Sequence, residues 1–190
     1  MEYNSVEKED GKLYLSFLAG DSTAYDELMI RHGDSLTLYL FGYLHDWQDA
    51  EDLMIEAFAR IMVKKPKIDE GSFKAYLFKT GRNLAARFHS RRTRIMQISF
   101  DEIENDLTGY ELVEERIKSE EQQRALRVCL ERIDPLEKEA LWLVYIERMT
   151  YAEAAEVMKV NTKKIDHLLS NGKQSMRKEL MKEGITNALE

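Results

Sequence analysis

Basic and aromatic side chains alternate along one stretch of this 190-residue chain. Residues 72–94 hold seven lysines and arginines and no acid, although the whole protein has a net charge of -7. Cations neutralise phosphates and flat rings stack on exposed bases, so this combination favours contact with a nucleic-acid strand. The residues are Lys74, Lys79, Arg82, Arg87, Arg91, Arg92 and Arg94, interleaved with Phe73, Tyr76, Phe78 and Phe88.

A second group of side chains is acidic. Five carboxylates and no base lie between Asp46 and Glu56. Asp49, Asp52 and Glu56 fall on one face of a helix, because they are spaced by three and four residues. No histidine lies beside them at ligand spacing, and hard-cation sites usually need a shaped loop with glycine. A protein-binding face for a basic partner is therefore favoured over a metal site, and a solvated helix face is the other alternative.

A third group predicts a helix-turn-helix near the C-terminus. Thr150 and Glu153 have the spacing of a capping box, and Asn161 offers the cap of a following long, basic helix. In a major groove, the start of that second helix would face base edges or phosphates. An ordinary surface helix with scattered lysines is the alternative. The candidate contacts are Thr162, Lys163, Lys164, Asp166 and His167, with Lys173 further along the helix.

The composition argues against an enzyme, a bound cofactor and a membrane protein. The four histidines are scattered, and no phosphate-binding glycine loop or nucleophile motif occurs. A helical-bundle metalloenzyme would need paired Glu-x-x-His motifs, which are missing. The longest apolar run, Ala140 to Ile146, is too short to cross a bilayer, and the N-terminus does not resemble a signal peptide, so we expect a cytoplasmic protein. Cys129 is the only cysteine, which excludes an internal disulfide.

The elements that carry these groups are predicted to be helices. Apolar residues recur at steps of three and four, and only nine glycines and two prolines interrupt the chain. This periodicity predicts an all-α protein, and the charge pattern divides it into two small helical domains, residues 1–95 and 122–183, with a C-terminal tail at 184–190. Between them, residues 96–121 form an acidic, extended linker that either follows a positively charged channel or is a solvated spacer. Asp134, Pro135 and Glu137 mark a helix start in the second domain.

Several segments resemble bacterial sigma factors of the extracytoplasmic-function (ECF) type. The resemblance covers about residues 13–182 and implies two helical domains, called regions 2 and 4, which bind core RNA polymerase and direct promoter-specific transcription initiation. A stand-alone helix-turn-helix regulator is the alternative, but it would have no use for the acidic and basic-aromatic groups in this order. The segments are Ala24–Leu28 with Arg31, Asp49–Leu53 with Glu56–Phe58, Ser72–Leu77, and Gly81–Ala85.

The resemblance also assigns roles to residues. It implies docking on the clamp helices of the polymerase beta-prime subunit by Asp49, Asp52, Leu53, Glu56 and Phe58. It implies minus-ten promoter binding by Lys65, Lys67, Phe73, Tyr76, Lys79, Arg82, Asn83, Arg87 and Arg91, with loop 65–71 holding a flipped base. It implies minus-thirty-five binding by Thr162, Lys163, Lys164, Asp166, His167 and Lys173. The implied partners are the polymerase beta and beta-prime subunits, promoter DNA and, as a family expectation only, an anti-sigma factor.

Some positions depart from the family pattern. Ile55 replaces a usual glutamine, Tyr76 a common tryptophan, and Arg87 a frequent aspartate. The recognition helix lacks two or three usual cations around Lys164–Leu168 and Asn171–Lys173. Since each phosphate contact contributes to affinity and to its salt dependence, we predict weak binding of the upstream element. Nanomolar affinity of the isolated second domain with a steep salt dependence would contradict this.

Overall fold

The computed structural model describes residues 3–69, 72–96, 129–130 and 132–182. Every regular element within these ranges is helical, which confirms the predicted all-α fold. No helix in this part of the chain has the length and apolar character needed to span a membrane. The helices are α1 Tyr3–Leu18, α2 Ser22–Leu44, α3 Trp47–Lys64, α4 Phe73–Met96, α5 Pro135–Leu141, a π-helical turn Trp142–Ile146, α6 Tyr151–Met158 and α7 Thr162–Lys182.

The chain divides into two compact units, as the charge pattern predicted. Unit 1 lies within Met1–Gly109 and contains α1 to α4, and unit 2 lies within Tyr110–Glu190 and contains α5 to α7. The predicted acidic linker lies outside the described residues except for Met96, the last residue of α4, and so does the predicted tail. Its extended form and the exact domain boundaries therefore stay predictions.

Unit 1 packs α1, α3 and α4 around α2. The side chains of Leu28, Leu36 and Leu40 on α2 are fully buried. Helix α4 packs closely on α2 at Gly81, where an added Cβ would lie 3.0 Å from Leu36 Cδ1. This close packing fixes the direction of α4, and with it the surface that α4 presents to solvent.

Helix α3 is capped at both ends by local hydrogen bonds. The Asp46 carboxylate accepts from the Asp49 amide at 2.8 Å, so the acidic segment begins at the helix N-terminus. Carboxylates are favoured there because the backbone amides and the helix dipole present positive charge. At the other end Lys65 adopts a left-handed conformation with φ 44°, and its N–H donates to the Ile61 carbonyl. The loop to α4 starts from this cap.

Unit 2 contains the three predicted helix starts. Asp134 caps α5, and the capping box of Thr150 with Glu153 begins α6. The Asn161 side chain accepts from the Lys164 amide at 2.8 Å and begins α7. The two intervening turns pass through left-handed residues, Arg148 and Lys159. The predicted helix-turn-helix is therefore present as α6 and α7.

Candidate protein and nucleic-acid interfaces

The acidic face of α3 is formed by Asp49, Asp52 and Glu56. Asp52 is exposed, and the other two side chains are half-buried. Gln48 donates to the Asp52 carboxylate at 3.2 Å. Arg60 donates to Glu56 at 2.6 Å from Nη2, so the negative charge of Glu56 is partly neutralised by a residue that the sequence reasoning missed. The spacing of four residues between Glu56 and Arg60 was the signal that could have found this pair.

Leu53 and Phe58, which the sequence resemblance placed among the docking residues, do not belong to that exposed face. Leu53 is 7% exposed and Phe58 is 1% exposed, because both point into the core of unit 1. The Phe58 carbonyl also accepts a hydrogen bond from the Tyr25 hydroxyl at 2.6 Å. These two residues support α3 from beneath and do not offer side-chain contacts to a partner.

Helix α4 presents a basic face. Tyr76, Lys79, Asn83 and Arg87 are spaced by three or four residues and form one row along the helix, and Arg82 lies beside it. Arg87 is exposed, and the other four are half-buried. The side chain of Arg91, which continues the row by spacing, lies outside the part of the chain whose side chains the structure describes.

Two of the aromatic rings in this stretch are core residues. Phe73 is 1% exposed and Phe78 is fully buried, so neither ring is available to stack on a base in this structure. A contact of the Phe73 ring with a base stays a prediction that this structure does not display. Phe78 lies in contact with the ring of Tyr39, with 5.1 Å between the centroids. Tyr76 and Phe88 are half-buried and are the rings of this stretch that reach the surface.

The loop between α3 and α4 adds two more cations. Lys65 and Lys67 are both exposed, and the ammonium of Lys65 lies 5.0 Å from the centroid of the Phe17 ring on α1. The Tyr14 hydroxyl donates to the Pro66 carbonyl at 2.7 Å. A small cavity of about 70 Å³ lies between α1 and this loop, lined by Gly11, Tyr14, Leu15, Ile68, Asp69 and Phe73.

In unit 2 the start of α7 is open to solvent. Thr162, Lys163, Lys164, Asp166 and His167 are all exposed, so each of these predicted contacts is accessible to solvent. His167 Nδ1 lies 3.2 Å from the Asn171 amide nitrogen, and this adds a residue that the sequence reasoning did not select.

Lys173 is held differently from the other predicted contacts. Its ammonium lies 5.0 Å from the centroid of the Tyr145 ring, which belongs to the π-helical turn. A hydrogen bond with Tyr145 raises the pKa of Lys173 above its ordinary value, so the side chain stays charged at neutral pH. A phosphate would therefore have to share this lysine with Tyr145.

These surfaces suit binding. Within the residues that the structure describes, no group of histidine, cysteine and carboxylate side chains could hold a metal ion. Unit 1 places carboxylates on α3 and cations on α4 and on the loop between them. Unit 2 places polar and basic residues at the start of a helix that follows a tight turn. The first arrangement can meet partners of both charges, and the second fits the groove of a duplex.

Two family models match the chain. The model for sigma-70 region 2 matches residues 28–95, and the model for sigma-70 region 4 matches residues 123–176. The chain therefore belongs to the sigma-70 family. Within that family it is a member of the ECF group, as the sequence resemblance predicted. Helix α1 precedes the segment that the region 2 model matches.

Two curated relatives carry ECF names. The ECF RNA polymerase sigma factor SigE of Mycolicibacterium smegmatis is 26% identical over 167 residues, which are 86% of this chain and 65% of SigE. The ECF RNA polymerase sigma factor SigM of Bacillus subtilis is 24% identical over 156 residues, which are 80% of this chain and 92% of SigM. This chain thus matches just under two thirds of SigE and nearly all of SigM.

Two solved structures have the same fold. CnrH, in complex with the cytosolic domain of CnrY, aligns with a TM-score of 0.65 at 20% identity and covers 91% of this chain and 97% of CnrH. The sigma factor RpoE of Bartonella quintana, in complex with the anti-sigma factor NepR, aligns with a TM-score of 0.64 at 20% identity. The alignment covers 83% of this chain and 96% of RpoE. At this identity the likeness shows the fold alone.

Proposed function

We propose that this protein is a sigma factor that binds core RNA polymerase and directs promoter-specific transcription initiation. The observation that carries the proposal is the match of both sigma-70 regions in one chain, in the order that such a function requires. The protein acts by binding and not by catalysis. Because core polymerase and promoter DNA are in the bacterial cytoplasm, we place the protein there with them.

The acidic face of α3 docks the polymerase beta-prime subunit. Exposed carboxylates are suited to a basic partner because they steer the encounter and exclude partners of the wrong charge. Asp52 is the most accessible of the three, whereas Arg60 already neutralises part of the charge on Glu56. Asp52 is therefore expected to contribute more than Glu56. Leu53 and Phe58 act only by holding α3 in place.

The basic face of α4 and the loop before it bind the minus-ten element as the strands separate. Lys65, Lys67, Lys79, Arg82 and Arg87 contact phosphates, because all five are cations whose side chains are exposed or half-buried. The half-buried ring of Tyr76 and the amide of Asn83 lie in the same row and contact unstacked bases. Phe73 supports this surface from the core.

Unit 2 reads the minus-thirty-five element with the start of α7. Asp166 is exposed between cations and repels phosphates, and Lys173 is engaged by Tyr145, so upstream binding is weak and the protein depends on unit 1 for affinity. The two solved relatives are complexes with a partner protein, one of them an anti-sigma factor. We extend that kind of partner to this chain, where it would cover the same surfaces.

Core binding is the first property to test. The variant Asp49→Asn/Asp52→Asn/Glu56→Gln is compared with wild type by co-elution with bacterial core RNA polymerase. The control, Asp26→Asn/Glu27→Gln/Asp34→Asn on α2, has the same change in charge. The control loses the ion pair between Glu27 and Arg31, just as the α3 variant loses the ion pair between Glu56 and Arg60. In both pairs the two residues are four positions apart on one helix. We expect the control to bind and the α3 variant to lose at least tenfold in affinity.

Two outcomes would count against the proposal. If both variants bind equally well, the acidic face of α3 is not the docking surface, although the protein can still be a sigma factor. If wild type fails to bind core polymerase under conditions where SigM of Bacillus subtilis binds, the sigma function itself is wrong. A stand-alone helix-turn-helix regulator that binds duplex DNA without polymerase would then be the function to examine.

A further inference from the structure

Helix α1 contacts both ends of the loop that carries Lys65 and Lys67. The Tyr14 hydroxyl donates to the Pro66 carbonyl at 2.7 Å, immediately after α3 ends. The Tyr14 ring lies 5.3 Å from the ring of Phe73, the first residue of α4. One side chain therefore bridges the point where the loop leaves α3 and the point where it enters α4.

A second aromatic residue of α1 holds the start of the same loop. The ammonium of Lys65 lies 5.0 Å from the centroid of the Phe17 ring. The ring of Phe17 is in turn 6.0 Å from that of Tyr14, so the two rings form one platform beneath the loop. A cation near a ring face is attracted to it, which restricts the directions that the lysine can take.

Helix α1 is itself anchored and can act as a fixed support. The carboxylate of Asp10 is 2% exposed and lies 2.7 Å from His32 Nε2 and 3.4 Å from Arg31 Nη1, both on α2. Buried polar contacts of this kind tie a helix to its neighbour, because breaking one leaves a buried polar group without a partner. The position of Tyr14 is therefore determined by α2 as well as by α1.

The hydroxyl of Tyr14 is a dependable donor. Tyr14 is 2% exposed, and burial raises the pKa of its hydroxyl above the ordinary value, which favours the protonated form that donates to Pro66. The carbonyl of Pro66 follows the left-handed residue Lys65, where the chain leaves the helix. Among the described residues, this is the hydrogen bond by which a side chain of α1 holds the backbone of the loop between Lys65 and Asp69.

We propose that Tyr14, on a helix outside the matched region 2 segment, is a positioning residue that fixes the α3–α4 loop so that Lys65 and Lys67 meet the DNA strand. The inference rests on the proposed function. It adds a residue to promoter binding that touches no DNA and acts through the loop. A cavity of about 70 Å³ lies beside Tyr14, lined also by Ile68 and Asp69 of the loop.

The chain contains a matched control for the test. Tyr25 is also buried, and its hydroxyl donates to the Phe58 carbonyl at 2.6 Å, which lies within α3 and not in the loop. Tyr14→Phe and Tyr25→Phe each remove one buried hydroxyl bonded to a backbone carbonyl. Both variants should lower the midpoint of thermal unfolding by a similar amount, and both should bind core polymerase as wild type does.

The readout is DNA binding by the polymerase complex, using a labelled duplex that the wild-type complex selects from a pool of random sequence. We expect Tyr14→Phe to weaken binding about fivefold, the effect of losing one ordinary hydrogen bond, and Tyr25→Phe to change it less than twofold. Loss of lysine contacts also lowers the slope of log affinity against log salt, by about 0.7 to 0.9 unit for each contact. A smaller folded fraction would reduce affinity without changing that slope.

A double-mutant cycle that combines Tyr14→Phe with substitutions of the two lysines tests whether Tyr14 acts through them. In a Lys65→Gln/Lys67→Gln background, Tyr14→Phe should have no further effect on DNA affinity, because the residues through which it acts are gone. The inference is wrong if Tyr14→Phe and Tyr25→Phe behave alike, or if Tyr14→Phe weakens binding equally in that background. If the complex of wild-type protein and polymerase selects no DNA at all, the proposed function is wrong. The inference, which rests on that function, is then wrong as well.

Discussion

Left-handed backbone conformations occur at single residues that end helices or turns. Among the described residues other than glycine, His45, Lys65, Arg148 and Lys159 have positive φ angles of 53°, 44°, 59° and 57°. Residues with a Cβ are strained in this region by roughly 1–2 kcal/mol, whereas glycine is not. Each of these residues therefore offers a place where the chain could gain stability by a single change.

Arg148 is a direct test of this strain. We expect Arg148→Gly to raise the free energy of unfolding of unit 2 by about 1 kcal/mol, because the exposed arginine side chain contributes little there and the strain is relieved. Arg177→Gly, at an exposed position inside α7, should lower it by about the same amount, since glycine is a poor helix former. Denaturant unfolding followed by Trp142 fluorescence in a Trp47→Phe background measures both. Equal effects of the two substitutions would contradict the argument.

Residue type alone could not tell which aromatic rings face solvent. The sequence identified Phe73, Tyr76 and Phe78 as rings among cations, and that is correct as a pattern. On the helix, however, Phe73, Leu77 and Phe78 share the face that packs into the core of unit 1. Of the three aromatic rings, only that of Tyr76 lies on the side of Lys79 and Arg87. A helical projection of residues 73–87 could have separated them, because apolar residues at steps of three and four mark the buried face.

Helix packing in unit 1 depends on where α4 approaches α2. An alanine at Gly81 would place its Cβ 3.0 Å from Leu36 and 3.4 Å from Leu40, and both leucine side chains are fully buried. We expect Gly81→Ala to lower the free energy of unfolding by about 2 kcal/mol through overpacking. Gly42→Ala on α2, where an added Cβ meets nothing within 4 Å, should raise it by up to about 1 kcal/mol.

Hydrogen exchange of the α2 and α4 amides measures the change in stability of both glycine variants, because it reports the opening of unit 1 directly. The sign of the effect is the discriminating observation. If Gly81→Ala protects these amides as Gly42→Ala does, then α2 and α4 can separate without cost, and the close packing does not determine the direction of α4.

Helix starts were the most predictable elements, and the π-helical turn was the least. The starts of α5, α6 and α7 depend on local bonds of Asp134, Thr150 and Asn161, so the sequence around each contains the necessary information. The turn Trp142–Ile146 has no such signal. The Trp142 indole N–H donates to the buried carboxylate of Glu147 at 3.1 Å, and a spacing of five residues fits neither the period of an α-helix nor that of a strand.

The contacts of α1 could not be predicted from the sequence either. The hydrogen bond from Tyr14 to Pro66 joins residues 52 positions apart. No periodic pattern relates two such positions, because their proximity results from how α1 packs against α2 and α4. The sequence therefore predicted the loop cations but not the residue that holds their loop.

At the scale of the whole molecule, opposite charges are assigned to different helices. The net charge is -7, yet α4 carries cations between Phe73 and Met96 without an acid, while the start of α3 carries acids. In the proposed function, α3 would bind a basic protein surface and α4 an anionic strand. This separation makes the two activities separable by mutation, which a single mixed surface would not allow.

The last prediction uses that separation. Lys79→Gln/Arg87→Gln should leave co-elution with core polymerase unchanged and lower the salt slope of DNA binding by about one and a half units, as the loss of two phosphate contacts requires. Lys12→Gln/Arg132→Gln removes the same two charge types from exposed positions outside α4 and serves as the control. A filter-binding titration of each polymerase complex at several salt concentrations measures the slope. If both pairs lower it equally, net charge and not the α4 face governs DNA binding, and the assignment of the minus-ten surface to α4 is wrong.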